Sequence, residues 1–279
     1  MTPEGGHSRG GFYTVITEAV AYFATHGYES ADALDEWMAR IRRAALETLT
    51  PESVVDAELR RVLAGVYQRE IDRGAILKRH PGVSRFTLEN VKPKLRRELD
   101  RRVMASAQLI RLNRQEAIEG TLRRFSGWAS SVPAGGSDVV ARIETKREIR
   151  KALAQLPFQE RRVAIDQGHK FVAALNSTIA NDAGALAGKW HSHYRQRGYN
   201  ARIEHAERDG HVFAIRGNWA IEKGLMKPGP DGYTDQIEAA AELPFCRCFY
   251  RYIYALRSLP DYMLTERGRA ALSAVRAAA

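Results

Sequence analysis

Apolar residues recur at three- and four-residue spacing through most of the first half of the chain, which is the signature of helices that bury one face. Val15, Ile16, Ala19, Val20 and Phe23 form such a face between Phe12 and about His26, and Gly27 ends it. Leu34, Trp37, Met38, Ile41 and Ala45 define a second helix, for which Ser30 or Asp32 offers a side-chain cap. Thr50-Pro51 marks a stop and a new start, because proline at the first helical position gives up only an amide that would be unpaired there. A third helix carries Val55, Leu59, Val62, Leu63, Val66 and Ile71, and ends near Gly74 or before His80-Pro81-Gly82. The longest periodic run is Lys92 to Phe125, where Leu95, Leu99, Val103, Ala107, Ile110, Ala117 and Phe125 share one narrow stripe. A continuous helix there would approach about 50 Å.

The pattern changes at Ser126-Gly127. From there to Ser137, with Val132-Pro133-Ala134-Gly135-Gly136 at its centre, the chain reads as a linker and predicts a domain boundary over 127–137. Asp138 is placed to cap a helix running to about Leu156, and Pro157 to open another through Val163, Phe171, Val172, Leu175 and Ile179, ended by Asn181-Asp182-Ala183-Gly184. His211 to Ile215 reads as a short strand, the stretch from Gly224 to Gly232 as a long loop, and Phe249 to Leu256 as a helix or strand. The expected fold is therefore α+β and predominantly α-helical, a helical N-terminal region followed by a compact C-terminal domain with a small β-sheet. The expected divisions are a flexible arm over 1–11, a basic helical domain over 12–126, the linker, and a C-terminal domain over 138–279.

Composition narrows the classes. A chain of 279 residues with 44% hydrophobic content can bury a substantial core. No apolar run approaches the roughly 18 residues of a membrane span, and the polar, glycine-rich start lacks the features of a secretory signal. Two cysteines, one residue apart, do not make a disulfide scaffold; reduced thiols or a metal fit better. The net charge of +10 is concentrated, since Leu59 to Phe125 holds 17 Lys/Arg against 7 Asp/Glu. Such a segment attracts a polyanion or an acidic protein surface. Arg96, Arg97, Arg101, Arg102, Arg123 and Arg124 are the candidate phosphate contacts, set against a plain surface helix whose arginines pair with Glu98, Asp100, Glu116 and Glu119.

Chemistry concentrates in the last third. Cys246 and Cys248, with His205 and either His191 or His193, supply four donors of the kinds that zinc takes in structural sites. Cys-x-Cys is tighter than the usual knuckle, so the thiols are expected to converge from a bent backbone, and buried inert cysteines are the competing reading. His205 beside Glu204 also reads as a local hydrogen-bonding residue, and Trp190 as core. No phosphate-binding glycine motif, nucleophile with a partner base or paired catalytic carboxylates stands out, so catalysis is not expected.

The order Trp190, Arg202-x-x-His205, Asp209-Gly210, Phe213, Lys227-Pro228-Gly229 and Cys246-Arg247-Cys248, over about 162–251, resembles the C-terminal domain of phage Mu F-like minor head (head-morphogenesis) proteins. The chain departs from that family at Val163-Ala164-Ile165-Asp166 and Asn176-Ser177-Thr178, where an Ala-Arg-Thr-Glu-like run is usual, and at His191-Ser192-His193-Tyr194-Arg195, which replaces an acidic-then-basic spacing. The resemblance implies a structural virion protein in few copies, at the portal vertex or head interior, made in the host cytoplasm and contacting the portal protein or major capsid protein. Double-stranded DNA along the basic helix is the further partner. Two alternatives remain at this point: a metal-dependent enzyme or toxin using the His/Cys cluster, and a cytoplasmic nucleic-acid-binding assembly factor absent from the particle.

Overall fold

A computed structural model describes residues 9–277. Helices dominate it, and a three-stranded antiparallel sheet lies in the C-terminal part, as the hydrophobic pattern predicts. The expected arm over 1–11 falls mostly outside the described residues; α1 (Arg9–His26) begins within it. Helix α2 (Ala31–Thr48) is capped by Ser30, whose hydroxyl accepts from the Ala33 amide at 3.2 Å. Helix α3 (Glu52–Tyr67) runs into a π-helical turn at Gln68–Asp72, closed by Arg73 N–H to the Gln68 carbonyl at 2.9 Å. Gly74, in the left-handed conformation at φ +73°, then lets the chain turn into a 3₁₀ segment, Ala75–Arg79.

Helix α4 (Arg85–Ala129) is longer than the periodic stripe predicts, about 67 Å at 1.5 Å per residue, and it contains Pro93. Proline removes one helical hydrogen bond, yet Leu88 and Val91 before it and Leu95 and Leu99 after it are buried in one cluster, which holds the helix together across the defect. Helix α5 (Ile143–Asp182) likewise runs unbroken through Pro157, where a new helix start is expected from the sequence. Every residue of the predicted α4 stripe is buried.

Two compact units arise, and each is discontinuous in sequence: residues 1–59 with 105–163, and residues 60–104 with 164–279. In the first, Phe12, Ile16, Phe23, Trp37, Ile41, Phe125 and Leu156 build the core. The stretch over 127–137 belongs to this unit and is packed. Val132 is buried, Ser137 N–H donates to the Ala24 carbonyl at 2.7 Å, and a Cβ on Gly136 would collide with that same carbonyl. Gly136 thus serves close approach to the end of α1.

In the second unit, Leu63, Ile71, Leu88, Leu95, Leu99, Phe171, Leu175 and Ile179 form one cluster. The sheet supplies the rest, in the order β2 (Val212–Ala214), β1 (Ala187–His191), β3 (Phe249–Ile253). Strand β1 and the C-terminal helix Glu266–Ala277 are additions to the elements expected from the pattern. Gly188 pairs with both Phe213 and Tyr252, and a Cβ there would lie 2.8 Å from the Tyr250 ring, so this central strand needs a glycine. Short helices at Ile203–Glu207 (α6) and Trp219–Glu222 (α7) connect the strands. Among the described residues no helix is long and apolar enough to cross a membrane.

His80 is locked into this second unit. Its Nδ1 lies 2.6 Å from the Tyr254 hydroxyl, its Nε2 lies 3.1 Å from Asn176 Oδ1, and its ring stacks on Tyr252. Nε2–H donating to the amide oxygen and Nδ1 accepting from the phenol describe a neutral imidazole. Burial pushes its pKa down to about 4, against a weaker opposing effect of the Asn176 bond. The unfolded chain therefore takes up this proton first. The stabilisation is present in full above about pH 6.5 and is lost as pH falls toward 4, on the order of 3 kcal/mol in all. Urea midpoints should fall across that window, and fall less steeply in His80→Phe; parallel pH profiles in the two proteins would contradict the assignment.

Candidate metal centre

The strand that ends the site has a simple logic. Cys246, Cys248, Tyr250 and Tyr252 are all buried in one cluster with Trp190 and Phe213, whereas Arg247, Phe249 and Arg251 between them are not buried. Burial alternates with the period of an extended chain, so residues two apart face the same way. That alternation, rather than a tight knuckle, puts both thiols on the core side. A bend does occur, one residue earlier: Phe245 adopts φ +61°, a left-handed conformation that costs a non-glycine residue about 1–2 kcal/mol. Its amide donates to Asp166 Oδ1 at 2.5 Å, and the buried Asp166 also pairs with Lys170 at 3.1 Å.

His205, carried on α6, completes the group. Its Nδ1 lies 3.4 Å from Cys246 Sγ and 3.5 Å from Cys248 Sγ, and the three ligand atoms lie within 4.8 Å of one another. All three residues are buried. Among the described residues this is the one such group of metal-ligating side chains, and it could hold a metal ion.

The remaining motif residues brace it. Trp190 Nε1–H donates to the His205 carbonyl at 3.2 Å, and its ring meets the His205 imidazole edge-on. Asp209 Oδ1 accepts from the Ser192 amide at 2.8 Å, Gly210 N–H donates to the Trp190 carbonyl at 2.9 Å, and Arg202 Nη2 donates to the Pro244 carbonyl at 3.2 Å. His191 and His193 lie outside the donor group. His191 stacks on Phe249 at 5.0 Å between ring centres, and His193 is tilted over the same ring. Burial lowers the pKa of both, with Arg247 and Arg79 adding to the effect at His193.

The thiols divide one proton between them. A hydrogen bond from Cys248 holds Cys246 below the usual thiol range, helped by backbone amides. The same contact, with burial, raises Cys248, because a second thiolate would be a second uncompensated negative charge. A cation between the sulfurs and the imidazole would supply that compensation.

The candidate phosphate-contacting arginines divide as well. In the second unit, Arg96 and Arg97 are exposed, with the Arg96 guanidinium 5.8 Å from the Tyr67 ring centre. Arg101 makes two 2.7 Å bonds to Glu98, and the half-buried Arg102 reaches Glu98 and Gln167 at 3.3 and 3.2 Å. In the first unit, Arg123 and Arg124 are exposed, while Arg114 is buried against Glu160 and the Thr50 carbonyl. Nothing in the sequence marks the partners of Asp166, or of Arg114, one of the arginines that the sequence places on the outer faces of the long helix, because an isolated charge on a helix carries no local signal of its distant partner.

Removing the carboxylate that fixes the Phe245 turn should loosen the thiol site. Asp166→Ala is expected to cost about 2 kcal/mol in urea unfolding, and to speed alkylation of Cys246 and Cys248 in the native protein. Unchanged stability and thiols as inert as in the parent protein would show that the turn holds without it. No family model matches this chain, and no characterised protein or solved structure matches it either.

Proposed function

We propose that this chain is a structural minor head protein of a tailed bacteriophage, whose C-terminal region is fastened by a zinc ion on His205, Cys246 and Cys248. The observation that carries the reading is the convergence of the motif: Trp190, Arg202, His205, Asp209, Cys246 and Cys248, spread over 59 positions of sequence, brace one buried knot. A motif built this way fastens a fold, which accords with a role in binding rather than bond chemistry. In this reading the protein serves head assembly at the portal or inner capsid, contacting portal or major capsid protein, after synthesis in the host cytoplasm.

Zinc fits the donor set. Two sulfurs and a nitrogen are its usual ligands, and a tetrahedron with Zn–S of about 2.3 Å and Zn–N of about 2.0 Å separates sulfur from nitrogen by roughly 3.5 Å. The observed separations are 3.4 and 3.5 Å. His205, Cys246 and Cys248 would hold the ion, which when bound supplies positive charge and a fixed geometry. The chain itself fixes the rest: the alternation of residues 246–252 aligns the thiols, and Trp190 anchors the α6 backbone at His205. The exposed arginines Arg96, Arg97, Arg123 and Arg124 are the contacts proposed for packaged DNA, with Arg101 and Arg102 contributing less because Glu98 offsets them.

Mass spectrometry of purified particles should find the protein in the virion; its presence only in the host lysate would reject the head-protein reading in favour of an assembly factor. Elemental analysis should return one zinc per chain, absent from a Cys246→Ser, Cys248→Ser double variant that unfolds at lower temperature. A hydrolytic activity lost in that variant while folding is retained would favour the metal-enzyme alternative instead. DNA affinity should fall with salt by about 0.9 log unit per log unit for each phosphate contacted, and the slope should shrink in Arg96→Gln/Arg97→Gln. Salt-insensitive binding would remove DNA from the partners.

A further inference from the structure

Beside the thiol–imidazole group, and wholly within the second unit, lies a pocket of about 280 Å³. Its walls come from distant stretches of chain. The π-helical turn at Gln68–Asp72 and the 3₁₀ segment after Gly74 contribute Arg69, Glu70 and Arg79; α5 contributes His169; the loop after β1 and the segment leading into β3 contribute His193 and Arg247. π-Turns interrupt a helix at a cost and are frequent at functional sites. Here the turn buries Glu70 and brings Arg69 to the pocket rim.

The charge is one-sided. Three guanidinium groups face a single carboxylate, Glu70, which accepts from Arg69 Nε at 3.0 Å and lies 3.9 Å from Arg79. Two positive charges remain. Arg79 is the most costly of the three. Burial lowers its pKa, its Nη1 is buried with no hydrogen-bond partner, and Glu70 is beyond hydrogen-bond length from that nitrogen. Its guanidinium lies 5.0 Å from the centre of the Phe249 ring. A buried donor left without a partner is unfavourable, and an acceptor entering the pocket would restore that bond. Burial and then Arg247 keep His169 on the neutral side, so it can donate one N–H without adding charge.

We propose that this pocket binds a phosphomonoester, with Arg69, Arg79 and Arg247 gripping its dianionic oxygens. Two residual positive charges match a phosphomonoester dianion better than a single carboxylate, and arginine forks match tetrahedral oxyanions. The volume lies just below the usual small-molecule range of about 300–1,000 Å³, enough for a phosphate with a small appended group. The ligand is either a free phosphate compound or the phosphorylated end of a nucleic acid. The inference does not depend on the head-protein reading.

The test is titration calorimetry on the full-length protein as purified, at constant ionic strength, with inorganic phosphate and sodium chloride as probe and control. Phosphate should bind at one site per chain and perturb the His169 ring resonances, with no matching effect of chloride. Arg79→Gln and Arg69→Gln should each weaken binding by roughly tenfold, while the exposed Arg257→Gln should not. If Arg79→Gln does not fold, Arg69→Gln decides, because its side chain is 58% exposed and little packing depends on it. A 5′-phosphorylated oligonucleotide bound more tightly than its 5′-hydroxyl counterpart would assign the site to a nucleic-acid end, and equal binding of the two would assign it to a free phosphate compound. Phosphate binding indistinguishable from chloride, or unaltered in both arginine variants, would overturn the proposal.

Discussion

The alternation of residues from Cys246 to Tyr252 is the constraint on which the C-terminal region depends. Four consecutive even-numbered side chains, two thiols and two phenol rings, enter one core against Trp190, and the odd-numbered ones stay out of it. Because the period is two, a slip of one residue would drive Arg247 and Arg251 into the core and expel both cysteines. The register is fixed by the pairing of Trp190 with Tyr250 and Gly188 with Tyr252, and by the missing Cβ at Gly188 that makes room for the Tyr250 ring. The extended segment that leads into β3 thus places the thiols on the core side and Arg247 outside it.

Two neighbouring groups of side chains meet along the segment from Cys246 to Phe249. The inward side, closed by Trp190 and His205, gathers two thiols and an imidazole that could hold a metal ion. The outward side carries Arg247 and Phe249 to a pocket whose charge has the opposite preference. Cys248 touches both.

Much of the helical part was legible because its signal is local. The α4 stripe, the Ser30 cap and the termination at Gly27 and Gly74 each rest on residues within a few positions of one another. The misjudged boundaries share a cause. Pro157 looks like a break, and Gly136 like slack, until the buried Leu156 and the Ala24 carbonyl beside them are known. Strand β1 escaped notice because Ala187-Gly188-Lys189 has no β-branched residue; its conformation is imposed by the strands on either side. In the candidate site, His205 with both cysteines was readable from residue type and order. The exclusion of His191 and His193 from the donor group was not, since both lie beside Phe249, a contact that only strand pairing creates.

The central claim is that His205, Cys246 and Cys248 together hold a metal that fastens this fold. X-ray absorption at the zinc edge of the purified protein reads that shell directly. The account predicts two sulfur scatterers at about 2.3 Å and at least one nitrogen at about 2.0–2.1 Å. A zinc-loaded protein with a shell of nitrogen and oxygen alone, or a protein that takes up no metal, would contradict it.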